Sequence, residues 1–335
     1  MTPNPSRIID LTNAYFGSCV LFAASDLGIF GRLAAVGPSG SAACADALGL
    51  DLRATGLLLD ACVAVQLLDK VDGMYRNTPE SEAFLVPGRP GDLSGAIRYN
   101  RDVYGAWRCL AHFARTGAPV ERPSLHLGDD AERTRTFVLS MHGRALGIGR
   151  AVVPQLDLAG RRQLLDVGGG PGTYSVLIAR ANPLIRCTVL DLPPVARIAA
   201  ELIAEQGSAE RVRTLPGDYH ETAYPPCNDA VIFFGVLHQE SPRSILDLLQ
   251  RAYDSLAPGG VVYVMDMMTD RTHTAPTYSA LFAVNMALTT ENGWVFSDCE
   301  LRQWFAETGF VDGCVRPLAP PMPHWLGCAR KLPAA

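Results

Sequence analysis

The stretch Gln163-Leu164-Leu165-Asp166-Val167-Gly168-Gly169-Gly170-Pro171-Gly172-Thr173 decides the fold. Its first five residues read as a buried strand, the glycines as a tight turn, and Thr173 onward as a helix. Glycine has no Cβ, so a ligand can approach the turn's backbone closely. The helix start offers N–H groups with no partner inside the helix. A second strand, Cys187-Thr-Val-Leu-Asp191, ends on a carboxylate 25 residues after Asp166. An acid at that place can accept both hydroxyls of a ribose. The combination predicts a nucleoside-bearing cofactor. A capped turn that holds no ligand is the competing reading.

The spacing separates the cofactors. Dinucleotide sites use GxGxxG, whereas this turn reads GxGxG, with Thr173 where the third glycine would fall. Asp166 stands just before the glycines, where its charge would repel a pyrophosphate. It suits a ligand carrying an ammonium and a sulfonium. S-adenosylmethionine, with S-adenosylhomocysteine as its product, is therefore favoured over a dinucleotide.

Outward from this segment, Ala230–Phe234 and Val261–Asp266 read as two more strands. Nearly every residue in them is apolar, as in a sheet covered on both faces. Ser241-Pro242 places a cap and an N1 proline before a helix whose apolar face runs Ile245, Leu248, Leu249, Ala252 and Leu256, with Pro258-Gly259-Gly260 as its stop. Ser297 and Glu300 form a capping box for a last helix that Gly309 ends. Two short strands near Cys314 and Trp325 close the chain. Strands alternating with helices predict an α/β, Rossmann-like, doubly wound parallel sheet. Ahead of it, residues 6–70 read as helices, followed by a hairpin turning at Asp72-Gly73. That is the outline of a mainly helical winged-helix domain. Residues 94–156 are again helical, with a break around Gly117–Pro123. The expected division is 1–155 and 156–335, in line with roughly 150 residues per domain for a chain of 335.

Composition bounds the function. A net charge of −5 gives no basic excess for a phosphate backbone. The candidate recognition segment 42–68 holds Asp46, Asp51 and Asp60 against Arg53 alone, so nucleic acid is not an expected partner. Charged residues are 19% of the chain, below the roughly 25% usual in soluble domains, which hints at a partner subunit. Nine cysteines show no CxxC or CxxxC spacing, and the histidines no HxxxH or HxH, so neither a disulfide framework nor a metal site is expected. The longest uncharged run, Thr272–Thr290, is too polar to span a bilayer, and Met1-Thr-Pro-Asn-Pro5 lacks the pattern of a signal peptide. A cytoplasmic protein with no membrane partner is the expectation.

With these segments in place, residues 163–330 resemble a class I S-adenosylmethionine-dependent methyltransferase. The whole chain resembles the plant-caffeate and bacterial small-molecule O-methyltransferase family, whose winged-helix domain dimerises. Leu165-Asp-Val-Gly-Gly-Gly-Pro-Gly-Thr173, Val189-Leu-Asp-Leu-Pro193, Gly217-Asp-Tyr219, Val236-Leu-His238, Leu256-Ala-Pro-Gly-Gly260 and Glu300–Phe310 carry the likeness. The resemblance implies a homodimer acting on a hydroxyl of an aromatic or polycyclic small molecule in secondary metabolism. It implies that Asp191, with Leu192 beside it, holds the ribose, that Asp218 and Tyr219 line the adenine, and that Gly168 and Gly170, after Asp166, admit the methionine portion. Met141 and Met286 fall where the family sandwiches an aromatic acceptor. Core filling is the competing reading for both.

His238 follows a parallel strand and so faces the ligand crevice. An imidazole there can take a hydroxyl proton near neutral pH. Asp266, closing another strand, could orient it. Trp107, Asn285, Phe282 and Trp294 supply flat walls with a few polar groups, as a flat organic acceptor needs. Arg101 or Arg144 could meet a carboxylate, against an ordinary surface role for each. Three departures from the family stand out. His238 is followed by Gln239 and Glu240 rather than an aspartate, Phe234 replaces a lysine, and Val295 falls near a supporting glutamate. Glu240 or Glu291 is a candidate substitute. These changes leave C- or N-methylation, or cofactor binding without transfer, as alternatives. An NAD(P)-dependent oxidoreductase is the alternative from another class.

Overall fold

A computed structural model describes residues 3–120, 123–320 and 322–333, the side chains of 123 and 125 excepted. The chain forms two compact units, residues 1–102 and 103–335.

In the first unit, helices α1 (Ser6–Asn13), α2 (Tyr15–Asp26), α3 (Ile29–Val36), α4 (Ser41–Leu48) and α5 (Leu52–Ala64) precede a hairpin of β1 (Leu68–Val71) and β2 (Met74–Asn77). Asp72 (φ 50°) and Gly73 (φ 77°) form its two-residue turn, as the sequence predicts, because a turn with positive φ at both positions matches strand twist. Helix α6 (Pro79–Phe84) follows. Ile29, Phe30, Leu33, Cys44, Leu59, Cys62 and Tyr75 make the core of this unit. Leu27 is exposed, as are all of α1 and the first two residues of α2. The run Ser6–Asp26 has the length of a membrane span, and its most apolar 18-residue window has a mean hydropathy of 1.3, though the two helices meet at Ala14.

Helix α7 (Ser94–Trp107) carries the chain across the division between the units. In the second unit come α8 (Leu110–Thr116), α9 (Ala131–Val152), β3 (Gln163–Val167), α10 (Thr173–Ala181), β4 (Arg186–Asp191), α11 (Pro193–Glu205), β5 (Val212–Pro216), β6 (Asn228–Phe234), α12 (Pro242–Ser255), β7 (Leu256–Asp266), α13 (Thr277–Thr289), α14 (Asp298–Glu307), β8 (Val311–Pro317) and β9 (Trp325–Arg330). The division between the compact units falls at residues 102–103. Helix α9 packs on α10 and α11 and belongs with the sheet.

The seven strands run in the order β5-β4-β3-β6-β7-β9-β8. The first five are parallel and β9 is antiparallel to both its neighbours. The order reverses between β3 and β6, which opens a crevice at the carboxyl ends of the strands. Alternate residues of β6 feed two cores. Ile232 and Phe234 join Val152, Val176 and Ala199 on one side. Val231 and Phe233 join Ile245, Leu248 and Phe305 on the other. This double burial is why the strand reads as an unbroken apolar run.

The Ser241 cap and the Ser297–Glu300 capping box form as predicted. Helix α12 ends at Ser255, however, ahead of Pro258-Gly259-Gly260, and those residues lie within the span of β7, beside a register irregularity opposite Asn228.

Candidate active site

The glycine turn is built by backbone conformation. Gly168, Gly170 and Gly172 take φ values of 63°, 54° and 71°, a region that side chains disfavour. A Cβ at Gly168 would lie 2.8 Å from Val236 Cγ2, so this glycine is required by packing. At Gly170 a Cβ would meet nothing within 4 Å. That side of the turn is open to a ligand.

Two carboxylates flank the opening. The Gly170 N–H donates to Asp191 Oδ2 at 2.7 Å and the Leu192 N–H to Asp191 Oδ1 at 2.8 Å. Burial pushes Asp191 up to about 6 against those two hydrogen bonds. Asp166 is fully buried. Its Oδ2 accepts from Ser175 Oγ at 2.7 Å, and its Oδ1 has no partner among the described residues. Burial pushes Asp166 up to about 7, the Ser175 bond opposing the rise and the Asp191 charge adding to it. Two buried acids, with no cation paired to either among the described residues, fit a cofactor bearing an ammonium and a sulfonium. Asp218 Oδ1 accepts the His220 N–H at 2.8 Å. The Tyr219 ring edge comes within 3.5 Å of where a Gly168 Cβ would stand, so Tyr219 borders the same turn.

His238 sits in a short 3₁₀ turn, Leu237–Gln239, just after β6. Asp266, 1% exposed at the end of β7, places Oδ1 2.6 Å from His238 Nδ1. Asp266 Oδ2 accepts the His238 backbone N–H at 3.2 Å, and Oδ1 also accepts the Met267 N–H at 2.8 Å. One carboxylate thus fixes both ring and backbone of His238 and leaves Nε2 as the nitrogen that can face an acceptor. The Trp294 N–H donates to the His238 carbonyl at 2.9 Å, and its indole N–H to the Glu240 carbonyl at 2.7 Å, which clamps the turn from α13's far end.

The departures from the family acquire definite places. The Glu240 carboxylate accepts from the Tyr219 hydroxyl at 2.7 Å and lies 3.2 Å from His220 Nε2, with Ser244 Oγ as a further donor. It supports Tyr219 rather than the His238 ring. Glu291 is exposed. Phe234 packs edge-on to Tyr174, with ring centres 5.2 Å apart, and Val295 packs with Met267, Phe282 and Met286. The partner of His238 is Asp266.

On the side where the sequence places the acceptor, the Phe282 ring meets the His238 ring edge-on at 5.3 Å. Trp107 Nε1 donates to Asn285 Oδ1 at 2.9 Å, joining two residues that are 178 positions apart in the sequence. Met286 is buried beside Phe282. Met141 is half-buried on α9, one turn before Arg144. Arg144 lies over the Phe282 ring, 5.9 Å from its centre. Arg101 pairs with Asp26 and Asp102 inside the first unit and so has its carboxylates already. His324 was not singled out by the sequence. It lies just before β9, whose first residue Trp325 pairs with Asp266, and it is 7% exposed. A lone histidine before a short strand carries no signal of that placement. Among the described residues no cluster suits a metal ion.

Residues 117–311 match the O-methyltransferase domain family, and residues 9–87 match the O-methyltransferase dimerisation domain. The chain belongs to this O-methyltransferase family and is an S-adenosylmethionine-dependent methyltransferase. It is 31% identical to the 3-hydroxy-5-methyl-1-naphthoate 3-O-methyltransferase of Streptomyces sahachiroi, over 91% of this chain and 89% of that protein. It is 30% identical to the tetracenomycin polyketide synthesis 8-O-methyl transferase TcmO of Streptomyces glaucescens, over 99% of both. The crystal structure of human N-acetylserotonin methyltransferase in complex with SAM superposes with a TM-score of 0.89 at 27% identity, covering 99% of each chain.

Proposed function

We propose that the protein methylates a hydroxyl of an aromatic or polycyclic small molecule in secondary metabolism, with His238 as general base. The observation that carries the base role is the 2.6 Å bond from Asp266 Oδ1 to His238 Nδ1. It sets the tautomer that leaves Nε2 free of its proton and ready to accept one. His238 then takes the proton of the acceptor hydroxyl, and Asp266 stabilises the imidazolium. The bared oxygen is the nucleophile. Bound S-adenosylmethionine supplies a methyl group on a sulfonium. Asp191 and the Leu192 backbone hold its ribose, Tyr219 and Asp218 border its adenine, and the open side of Gly170 admits its methionine portion near Asp166 and Gly168. Phe282, Met286, Met141, Asn285 and Trp107 position the acceptor ring, so the chain contributes mainly orientation and one proton transfer.

The names of two relatives give a hydroxynaphthoate and tetracenomycin polyketide synthesis, which supports a fused-ring acceptor here. The dimerisation domain supports a homodimer. Nine free cysteines accord with a reducing, cytoplasmic setting.

The test is formation of S-adenosylhomocysteine from S-adenosylmethionine with a panel of naphthols and hydroxyanthraquinones. The wild type is expected to turn over at least one of them, and His238→Gln to lower kcat about 10²- to 10⁴-fold. A His238→Gln enzyme with an unchanged rate at pH 7 overturns the base assignment.

A further inference from the structure

We propose that Arg144 and His324 form an anion-recognition corner of the acceptor pocket, and that the natural acceptor is an aromatic hydroxy acid whose carboxylate docks there. The inference rests on the O-methyltransferase reading above and names the substrate class within it.

Arg144 is half-buried and lies over the Phe282 ring, the same ring that meets His238 edge-on. The Phe282 ring thus has the imidazole centre within 5.3 Å and the guanidinium carbon within 5.9 Å of its own centre, so the base and the guanidinium border the same ring. Burial of an arginine side chain ordinarily goes with a paired guanidinium. Among the described residues, none accepts a hydrogen bond from Arg144 or forms an ion pair with it. Asp266, the carboxylate that acts on His324 together with Arg144, is committed to the His238 ring, the His238 N–H and the Met267 N–H.

His324 supplies the second observation. It is buried, and its Nδ1 has no hydrogen-bond partner among the described residues. The β7–β9 pairing brings it beside Asp266. Burial pushes its pKa down to about 4, and the Arg144 charge adds to the fall, so the imidazole is neutral. The charged and titratable groups acting on it are Arg144, Asp266 and His238. With His324 neutral and Asp266 balanced against the imidazolium that His238 becomes, the positive charge left over is that of Arg144. A planar carboxylate answers it with two oxygens, to which a guanidinium donates in parallel, while a neutral imidazole N–H can reach one of them. A neutral acceptor would leave the guanidinium without an anion.

The test uses the full chain saturated with S-adenosylhomocysteine. Calorimetry compares 3-hydroxy-1-naphthoic and 3-hydroxy-2-naphthoic acids with 2-naphthol, the same ring without the carboxylate. At least one acid is expected to bind about tenfold tighter than the naphthol, a difference typical of one charge-assisted pair. Arg144→Gln should bring that acid to the naphthol's affinity and change naphthol binding less than about twofold. Arg144→Lys should restore part of the preference, and His324→Gln should reduce it. Affinity for S-adenosylhomocysteine reports that each variant is folded. The proposal is overturned if neither acid outbinds the naphthol. It is also overturned if Arg144→Gln weakens acid and naphthol by the same factor. Methyl transfer to 2-naphthol by the wild type is read separately. Its absence alongside an intact acid preference would count against O-methylation and not against the anion corner. Transfer without acid preference would do the reverse.

Discussion

Asp266 holds His238 at two points, through Nδ1 at 2.6 Å and through the backbone N–H at 3.2 Å. A carboxylate that only capped the turn would need the second contact and not the first. The pairing predicts that Asp266→Asn keeps the turn, because an amide oxygen can still accept the backbone N–H. It loses the negative charge opposite the imidazolium. Turnover should fall about 10²- to 10⁴-fold, with affinity for S-adenosylhomocysteine within a factor of about two. A proportional loss of both would make Asp266 a structural residue only.

The bond from the Gly170 N–H to Asp191 Oδ2 ties the second acid to the glycine turn. Asp191 titrates at about 6 and Asp166 at about 7, both raised first by burial. A carboxyl whose pKa rises on folding keeps a proton that the unfolded chain gives up. Its favourable contribution is present below about pH 4 and is lost as pH climbs through 6 to 7. A ligand cation prefers the ionised form, so its affinity moves the other way. S-adenosylmethionine should bind about tenfold tighter at pH 7 than at pH 5, given a group titrating near 6. Over the same interval, the Tm of the ligand-free wild type should drop relative to that of Asp191→Asn. Asp191→Asn should bind the cofactor at least about tenfold more weakly, through loss of charge-assisted bonds. Equal affinity of variant and wild type would remove Asp191 from the cofactor site.

The Trp107 indole fixes the Asn285 amide by donating to its oxygen, which turns the Asn285 NH₂ away from that bond. Trp107→Phe keeps an aromatic wall and removes the donor. The acceptor KM is expected to rise about three- to tenfold, the range of one lost neutral hydrogen bond, with little change in kcat. If kcat falls and KM does not, Trp107 acts on the reacting geometry instead.

The glycine turn, Asp191 and both helix caps were legible because each depends on a few adjacent residues and one local rule. Strand β5 was not. Arg213 and Thr214 interrupt Val212 and Leu215 along it, at the edge of the sheet, and the apolar run that marked β3, β4, β6 and β7 is absent. His238 and Asp266 could each be placed at a strand end, but which carboxylate meets the ring depends on β6 and β7 being neighbours. Glu240, adjacent in sequence to the turn, swings to Tyr219 instead. His324 and Arg144 reach Phe282 and Asp266 only through the packing of α9 and the reversal into β9, which no local pattern records. The placement of α9 with the sheet likewise depends on its buried face meeting α10 and α11, not on its helical periodicity.

The N-terminal helices give a last prediction. None of α1 is buried, and Ile8 and Leu11 are 67% and 66% exposed, with Ile9, Tyr15 and Phe16 also open. So much contiguous apolar surface in water calls for a covering partner. Residues 9–87 match a dimerisation domain, which makes a second copy the expected cover, while the hydropathy of Ser6–Asp26 makes a lipid surface the rival. The two differ in what salt-free dilution and vesicles do. Light scattering on the purified chain should give twice the mass of 36.0 kDa. The double variant Ile9→Glu, Phe16→Glu should give the single mass and a second unit that still binds S-adenosylhomocysteine, since every residue proposed for that site falls within residues 103–335. Neutral phosphatidylcholine vesicles should not carry the wild type with them on flotation. A monomeric wild type that floats with vesicles would assign the exposed face to lipid and remove the homodimer.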